Sequence, residues 1–474
     1  MSRVIQLFFL FIGLLFFECS LWSQDTISLT GQELYADMLS SASSSAVIAL
    51  TPELFLVAYE DRSSEKGIIK MGRIYNDTVI TFEDSVDFVP YLGVEKVGLS
   101  RLSPSRFIIS FTLDNRIFLR AGEVIDQSLV ELGGVHSINS GAVNDFSLVS
   151  FSDNLFISVC GESESGNGKC TLGTISEDLE VTIDSTYIFA TAGFTDTTHI
   201  SIDTLSETRF VISFGNAKGE SLLASMDESR MLSFEDPAAF ATNQIHNLNV
   251  LGITERKFAL VYNDDVEGVR KGTVILGAVS ATGEISYSEK LFFDDKKPSG
   301  ISVTKLTSYE FIISYNGGWD DWHGYVIRAT VLGDTVIFSD NTMFNPEPPS
   351  NSLSPLTCLN NRDFLVTYLN RNTFKGYARV GSTNEFRDAT HVVVIPGPSF
   401  SLYPNPAWDI VHLQWDGPRG GVAIRVLDLN GRTLLSREVN TSRITLSLGD
   451  YPKGIYLIQL IDGTSSVTKK LLLQ

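Results

Sequence analysis

The 474-residue chain carries 36 Lys and Arg against 56 Asp and Glu, a formal net charge of −20, and 43% of it is hydrophobic and 11% aromatic. That much apolar material excludes a disordered chain, and the length suits two or three domains, although large all-β folds run longer as one unit. The acidic balance argues against nucleic acid or an anionic membrane as the main partner, because both select clustered Lys and Arg.

The chain opens Met1-Ser2-Arg3, then runs apolar from Val4 to Phe17, with small residues before Gln24. A charged start, a short apolar stretch and a small-residue exit form a secretory signal peptide over 1–23, cleaved near Ser23/Gln24. The run is short of the ~20 residues that span a bilayer, and no other segment approaches that length, so no transmembrane segment is expected in the mature chain. Cys19 raises a lipoprotein reading, but Glu18 stands where such signals want a small residue.

From residue 40 to 395 one pattern recurs: Phe, two β-formers, a small residue and an aromatic. It reads Phe55–Tyr59, Phe107–Phe111, Leu155–Val159 in a weaker third copy, Phe210–Phe214, Phe258–Tyr262, Phe311–Tyr315 and Phe364–Tyr368. Each copy is preceded by one strand and followed by two, with a Gly near the start of the next strand, as in Gly272–Gly277. Seven four-stranded units at about 50 residues predict a seven-bladed β-propeller, since one such sheet cannot bury both faces alone. Helical periodicity is nearly absent, and the fold class is all-β throughout. Copies one, five, six and seven also resemble a Tyr…Asp…Gly repeat common in secreted bacterial seven-bladed propellers of unassigned function; the resemblance implies fold alone.

Cys160 and Cys170 flank a polar Gly/Ser loop between two strands, a spacing that predicts a disulfide closing a hairpin in an oxidising compartment. A zinc site is the rival, without a nearby His or second Cys pair. Cys358, in an apolar strand, reads as a buried small hydrophobe.

If the aromatic ending each repeated strand leads into a loop, those loops share one rim. They carry Asp61, Asp114-Asn115, Asn263-Asp264-Asp265, the run Asn316 to His323, and Asn370-Arg371-Asn372. Turn chemistry accounts for most of them. Trp319-Asp320-Asp321-Trp322-His323 is harder to explain that way, because Trp normally seeks burial. Indole faces beside carboxylates suit neutral sugar, the rings stacking on a pyranose while Asp accepts hydroxyl hydrogen bonds. The competing account folds the Trp residues back onto the blade. Asp61, Asp264 and Asp265 join Trp319, Asp320, Asp321, Trp322 and His323 as candidate ligand contacts. No catalytic residue is assigned: the chain lacks HExxH, GxSxG, P-loop and sialidase Ser-x-Asp-x-Gly-x-Thr-Trp motifs. No cofactor is assigned either; calcium at Asp264-Asp265 lacks motif support, and the metal content is left open.

From about residue 400 the character changes. Tyr403-Pro404-Asn405-Pro406-Ala407 opens the segment, strands alternate around an Asp428…Gly431-Arg432 turn, Gly454-x-Tyr456 begins another strand, and Lys469-Lys470 precede a final Leu run. Short strands in about 75 residues predict a small Ig-like β-sandwich. These residues, across nearly all of 400–474, resemble the type A C-terminal sorting domain of the type IX secretion system of Bacteroidota. That resemblance implies the type IX machinery as a partner, translocation across the outer membrane, and release or anchorage at the cell surface. An ordinary Ig-like adhesive module is the alternative. This segment holds eight Lys and Arg against six Asp and Glu, and residues 1–23 are neutral, so the propeller bears −22. Such a charge favours neutral glycan or a basic protein as ligand. The sequence therefore reads as an extracellular binding propeller, with a structural or protein-docking component, or a glycan-cleaving enzyme, as alternatives.

Overall fold

The computed structural model describes residues 27–383 and 400–474, except 38, 40–44, 90–92, 127–128, 140, 192, 196–197, 216–217, 319–322, 347–353, 371, 416–421, 429–431, 450 and 463–464. The signal-peptide residues 1–23, Trp319, Asp320, Asp321, Trp322 and Gly431 lie outside the described residues. Among those described, every regular element is a β-strand, and none is a helix long and apolar enough to cross a membrane. The chain divides into two compact units at Phe386/Arg387.

The first unit is a ring of seven antiparallel sheets. The first blade runs Ala46–Thr51, Leu54–Asp61, Lys66–Tyr75 and Val79–Val89 from the centre outwards. The other six open with Val97–Arg101, Val143–Ser152, His199–Thr204, Ile245–Thr254, Ser299–Lys305 and Leu356–Cys358. Each of these innermost strands lies against the next, and the seventh lies against the first, so the ring is closed. Side chains stitch neighbouring innermost strands together: the Val250 amide donates to Ser201 Oγ at 3.0 Å, and that of Gly252 to Asp203 Oδ2 at 2.7 Å.

The repeated Phe strand is the second of each blade and is buried on both faces, as its near-continuous apolar sequence requires. Its Phe lies across from a small residue on the third strand: Phe55 faces Gly72, Phe258 faces Gly277, Phe311 faces Ala329 and Phe364 faces Gly381. A Cβ on Gly72 would come within 2.1 Å of the Phe55 ring, which is why Gly recurs there. By the same criterion the third copy begins at Phe156, which faces Gly173, one residue later than the sequence pattern places it. Cys160 then takes the position held by Tyr59, Tyr262 and Tyr315 in other blades.

That register corrects the predicted disulfide. Val159 pairs with Cys170 and Cys160 with Lys169, so the two cysteines leave the sheet on opposite faces and join different hydrophobic clusters. Both thiols are free and buried, and desolvation pushes that of Cys160 up to about 12. Cys358 is likewise free and partly buried.

The propeller also begins before residue 40. Ser28–Leu29 and Glu33–Ala36 pair with Lys375–Ser382 and form the outer edge of the seventh blade. Tyr35 fills the role that Phe344 fills one blade earlier: its ring packs over Gly376 as the Phe344 ring packs over Gly324. Arg379 marks the same equivalence. It donates to Thr30 O on its own outer edge and to Phe344 O on the preceding blade, both at 2.7 Å. Arg120 makes the matching pair of contacts, to Gly133 O and Phe88 O, in the second blade.

The second unit is a sandwich of two sheets. One holds Phe400–Tyr403, Ile410–Trp415 and Arg443–Ser447; the other holds Thr433–Val439, Val422–Leu427, Gly454–Asp462 and Ser465–Leu473. Val411, Leu413, Ile424, Val426, Ile458, Leu460 and Leu471 supply its core.

Candidate functional site

Every blade has the same strand order, so all hairpins between second and third strands emerge on one face of the closed ring. The loops singled out in the sequence therefore share a rim. Several are turn formers. Asp61 Oδ2 accepts from Ser63 Oγ at 2.7 Å and from the Ser64 amide at 2.8 Å, capping its own turn. Burial pushes this carboxyl up, but the bonds from Ser64 and Ser63 prevail and hold it below the usual range. Asp114 and Asn115 adopt φ of 50° and 59°, the left-handed pair that a tight hairpin needs. Asn370 Oδ1 accepts from the Asn372 amide at 3.0 Å.

The fifth blade differs. Asp264 is fully buried and binds Lys290 Nζ at 2.5 Å and Asn243 Nδ2 at 3.2 Å. Asp265 lies 3.4 Å from Arg270 Nε and 3.6 Å from His246 Nε2. Both carboxylates thus have protein partners, which makes them supports of the rim. Asp61, in the first blade and three blades away through the seventh and sixth, is not brought together with them.

The sixth blade supplies the open corner. The Gly317 amide donates to His323 O at 2.8 Å and closes the base of the segment containing Trp319–Trp322. Beside that base is a depression of about 300 Å³ lined by Phe293, Asp294, Asp295, Lys296, Tyr325 and Asn341. An aromatic ladder leads into it: Phe293 meets Tyr315 at 5.3 Å, Tyr315 meets Tyr325 at 5.7 Å, and Tyr325 meets His323 at 6.4 Å between ring centroids. Asp294 Oδ1 accepts from the Lys296 amide at 2.8 Å, which fixes one carboxylate at the edge. Sequence reasoning reached His323 and missed the lining from the preceding blade's outer strand, Phe293 to Lys296. Those residues stand over twenty positions upstream of the loop and carry no signal of their own.

In the second unit the predicted sorting residues serve the fold. Asn405 Nδ2 donates to Lys470 O at 2.8 Å and its Oδ1 accepts from the Leu472 amide at 2.9 Å, clamping the Tyr403-Pro404-Asn405-Pro406 opening onto the last strand. Asp428 Oδ1 accepts from the Arg432 amide at 2.9 Å across the turn. Tyr456 Oη donates to Pro452 O beside Gly454. Lys469 Nζ lies 5.4 Å from the Phe400 ring centroid, and both Lys469 and Lys470 are exposed. The described arrangement is a compact module with a basic edge.

Residues 401–474 match the family model for a secretion system C-terminal sorting domain. The chain therefore carries the type IX sorting signal, and the protein is exported to the cell surface or the extracellular medium. No curated protein matches the chain. Solved structures similar to it include the K499G mutant of NanB sialidase from Streptococcus pneumoniae, at 9% identity and a TM-score of 0.40 over 74% of this chain and 70% of that one. The core factor of S. cerevisiae is similar at 11% identity and a TM-score of 0.46, over 80% of this chain and 65% of that one. At those scores neither likeness bears on activity.

Proposed function

We propose that this is an exported binding propeller, made with a cleaved signal peptide over 1–23, that takes neutral carbohydrate at the sixth-blade corner of the hairpin rim. The observation that carries the reading is the depression beside the Gly317–His323 closure, where Phe293 and Tyr325 meet Asp294, Asp295 and Asn341. Aromatic rings and acid or amide acceptors are what pyranose faces and hydroxyls require. A propeller charge of −22 disfavours acidic polysaccharides at the same place.

Docking to an extracellular protein is the second reading. A depression of about 670 Å³ between the third and fourth blades favours it, being lined by Ile188, Phe189, Phe194 and Phe214. Affinity electrophoresis of the exported protein through a panel of soluble polysaccharides separates the readings. Retardation by a neutral glycan, abolished by combining Trp319→Ala with Trp322→Ala and weakened by Tyr325→Ala in folded protein, supports carbohydrate recognition. Shortened glycan would make the protein an enzyme. Free migration across the panel overturns the carbohydrate reading.

A further inference from the structure

His199 and His246 stand 47 positions apart and belong to neither the sixth-blade corner nor the sorting domain. The repeat unites them. His199 opens the innermost strand of the fourth blade opposite Gly215; His246, near the start of the innermost strand of the fifth, lies opposite Asn263. Gly215 and Asn263 are each the fifth residue after the repeated Phe. Equivalent positions on adjacent blades thus put both imidazoles at one mouth of the central channel, with ring centroids 6.0 Å apart and planes at 70°.

Each ring has a carboxylate behind it. His199 Nδ1 lies 3.6 Å from Asp145 Oδ2, and His246 Nε2 lies 3.6 Å from Asp265 Oδ2. Asp145 is itself anchored by Lys96 Nζ at 3.2 Å and by the Ile200 amide at 3.2 Å. Arg270 Nε is 3.4 Å from Asp265. Both contacts are longer than a hydrogen bond, and His246 Nε2 has no hydrogen-bond partner among the described residues, so the carboxylates act on the two rings through their charge. The two side chains keep 31% and 17% of their surface exposed, enough for an ion to reach them.

We propose that His199 and His246 together bind one divalent transition-metal ion of the Cu²⁺ or Zn²⁺ class, with water or an external ligand completing its coordination. An ion bonded at about 2.0–2.1 Å sits about 3.2 Å from an imidazole centroid, so two rings sharing it lie at most about 6.4 Å apart. The observed 6.0 Å falls inside that limit. A carboxylate stands 3.6 Å behind each ring, the side on which metal-binding imidazoles commonly carry negative charge. Lys96 and Arg270 offset Asp145 and Asp265, so an arriving cation meets no net local charge within a strongly acidic propeller. Among the described residues no three His, Cys, Asp or Glu side chains converge on one ion. The site is therefore an open two-ligand one, exchangeable in character rather than a fold-holding centre.

The test uses the full exported protein, stripped with chelator, titrated calorimetrically with Cu²⁺ or Zn²⁺ and examined by electron paramagnetic resonance with Cu²⁺. The expected result is one equivalent of Cu²⁺ with couplings from two imidazoles, weakened roughly tenfold or more by His199→Ala or by His246→Ala. His136→Ala, which removes a ring paired with Glu180 in the second blade, leaves binding intact. If circular dichroism shows either alanine variant unfolded, His199→Gln and His246→Gln replace them. Absence of binding below about 1 mM overturns the proposal. So does undiminished affinity in the folded double variant, or loss of binding in His136→Ala.

Discussion

Tyr35→Ala tests how the ring closes. Tyr35 is 1% exposed, packs over Gly376, and meets the rings of Tyr59 at 5.4 Å and Phe82 at 6.0 Å. It therefore joins the last blade to the first from a four-residue strand, Glu33–Ala36, in which it is the one buried large side chain. Truncation to Ala exposes or empties about 150 Å² of apolar surface, which at about 25 cal/mol per Å² is worth about 4 kcal/mol, within the range for large aromatic-to-Ala changes in cores. Urea denaturation of the purified protein should show that loss, with the N-terminal segment becoming sensitive to protease before the rest of the ring. Leu34→Ala, one residue away on the exposed side of the strand at 40% exposure, should cost under about 0.5 kcal/mol. A Tyr35→Ala penalty below about 1 kcal/mol would show that the Ser28–Ala36 strands are not what closes the propeller.

Three further outcomes follow from particular contacts. Burial of Asp203, opposed by the amides of Gly252 and Thr204 and by Lys305, raises its carboxyl to about 6. Its contribution to stability is thus fully present below pH 3.8 and is lost as pH rises through 6; the difference is about 3 kcal/mol. Asp203→Ala should flatten that segment of the stability–pH curve measured by denaturation, and an unchanged slope would contradict the assigned burial. Asn405→Ala removes two hydrogen bonds to the last strand of the sorting domain and should destabilise that unit by about 1–2 kcal/mol, read as a lower melting temperature of residues 400–474 and reduced surface delivery. Reductant should leave the melting temperature unchanged, and thiol reagent should label Cys160 and Cys170 only after unfolding; a shift on reduction would restore the disulfide.

Much of the propeller was legible because its stabilising unit is local and periodic. Phe55 and its six counterparts each face a small residue across the next strand, and all but Phe156, which has Cys160, have an aromatic four residues on, so both demands leave a mark every fifty residues or so. The closure left no such mark. Glu33–Ala36 contributes one ring, and a single Tyr in a short polar segment cannot be told from chance. The cysteine pairing failed on parity: the hairpin matches residues whose numbers sum to 329, whereas 160 and 170 sum to 330. One residue of register sends a side chain to the other face, and spacing alone does not carry register. Turn residues such as Asp61 were readable as turn residues, while the burial of Asp264 against Lys290 depended on an outer-strand neighbour 26 positions away.

The departures from the repeat bear on function more than the repeat does. Closing the ring requires apolar second strands and Gly or Ala on third strands, and it asks nothing of the first residues of the innermost strands. Lys96, Asp145 and His199 each stand 11 residues before the repeated Phe of their blade, and His246 stands 12 before its own. Ser299 takes the corresponding place in the sixth blade, opposite Asn316, and suffices there. Ionisable side chains set side by side at a half-buried channel mouth cost desolvation that a serine would avoid. The Lys96–Asp145–His199 and His246–Asp265–Arg270 chains recover part of that cost through their ion pairs, but both end on an imidazole nitrogen that no fold requirement explains. Packing therefore accounts for the scaffold of this molecule, and the residues in excess of packing, at this mouth and at the sixth-blade corner, are where its chemistry is to be sought.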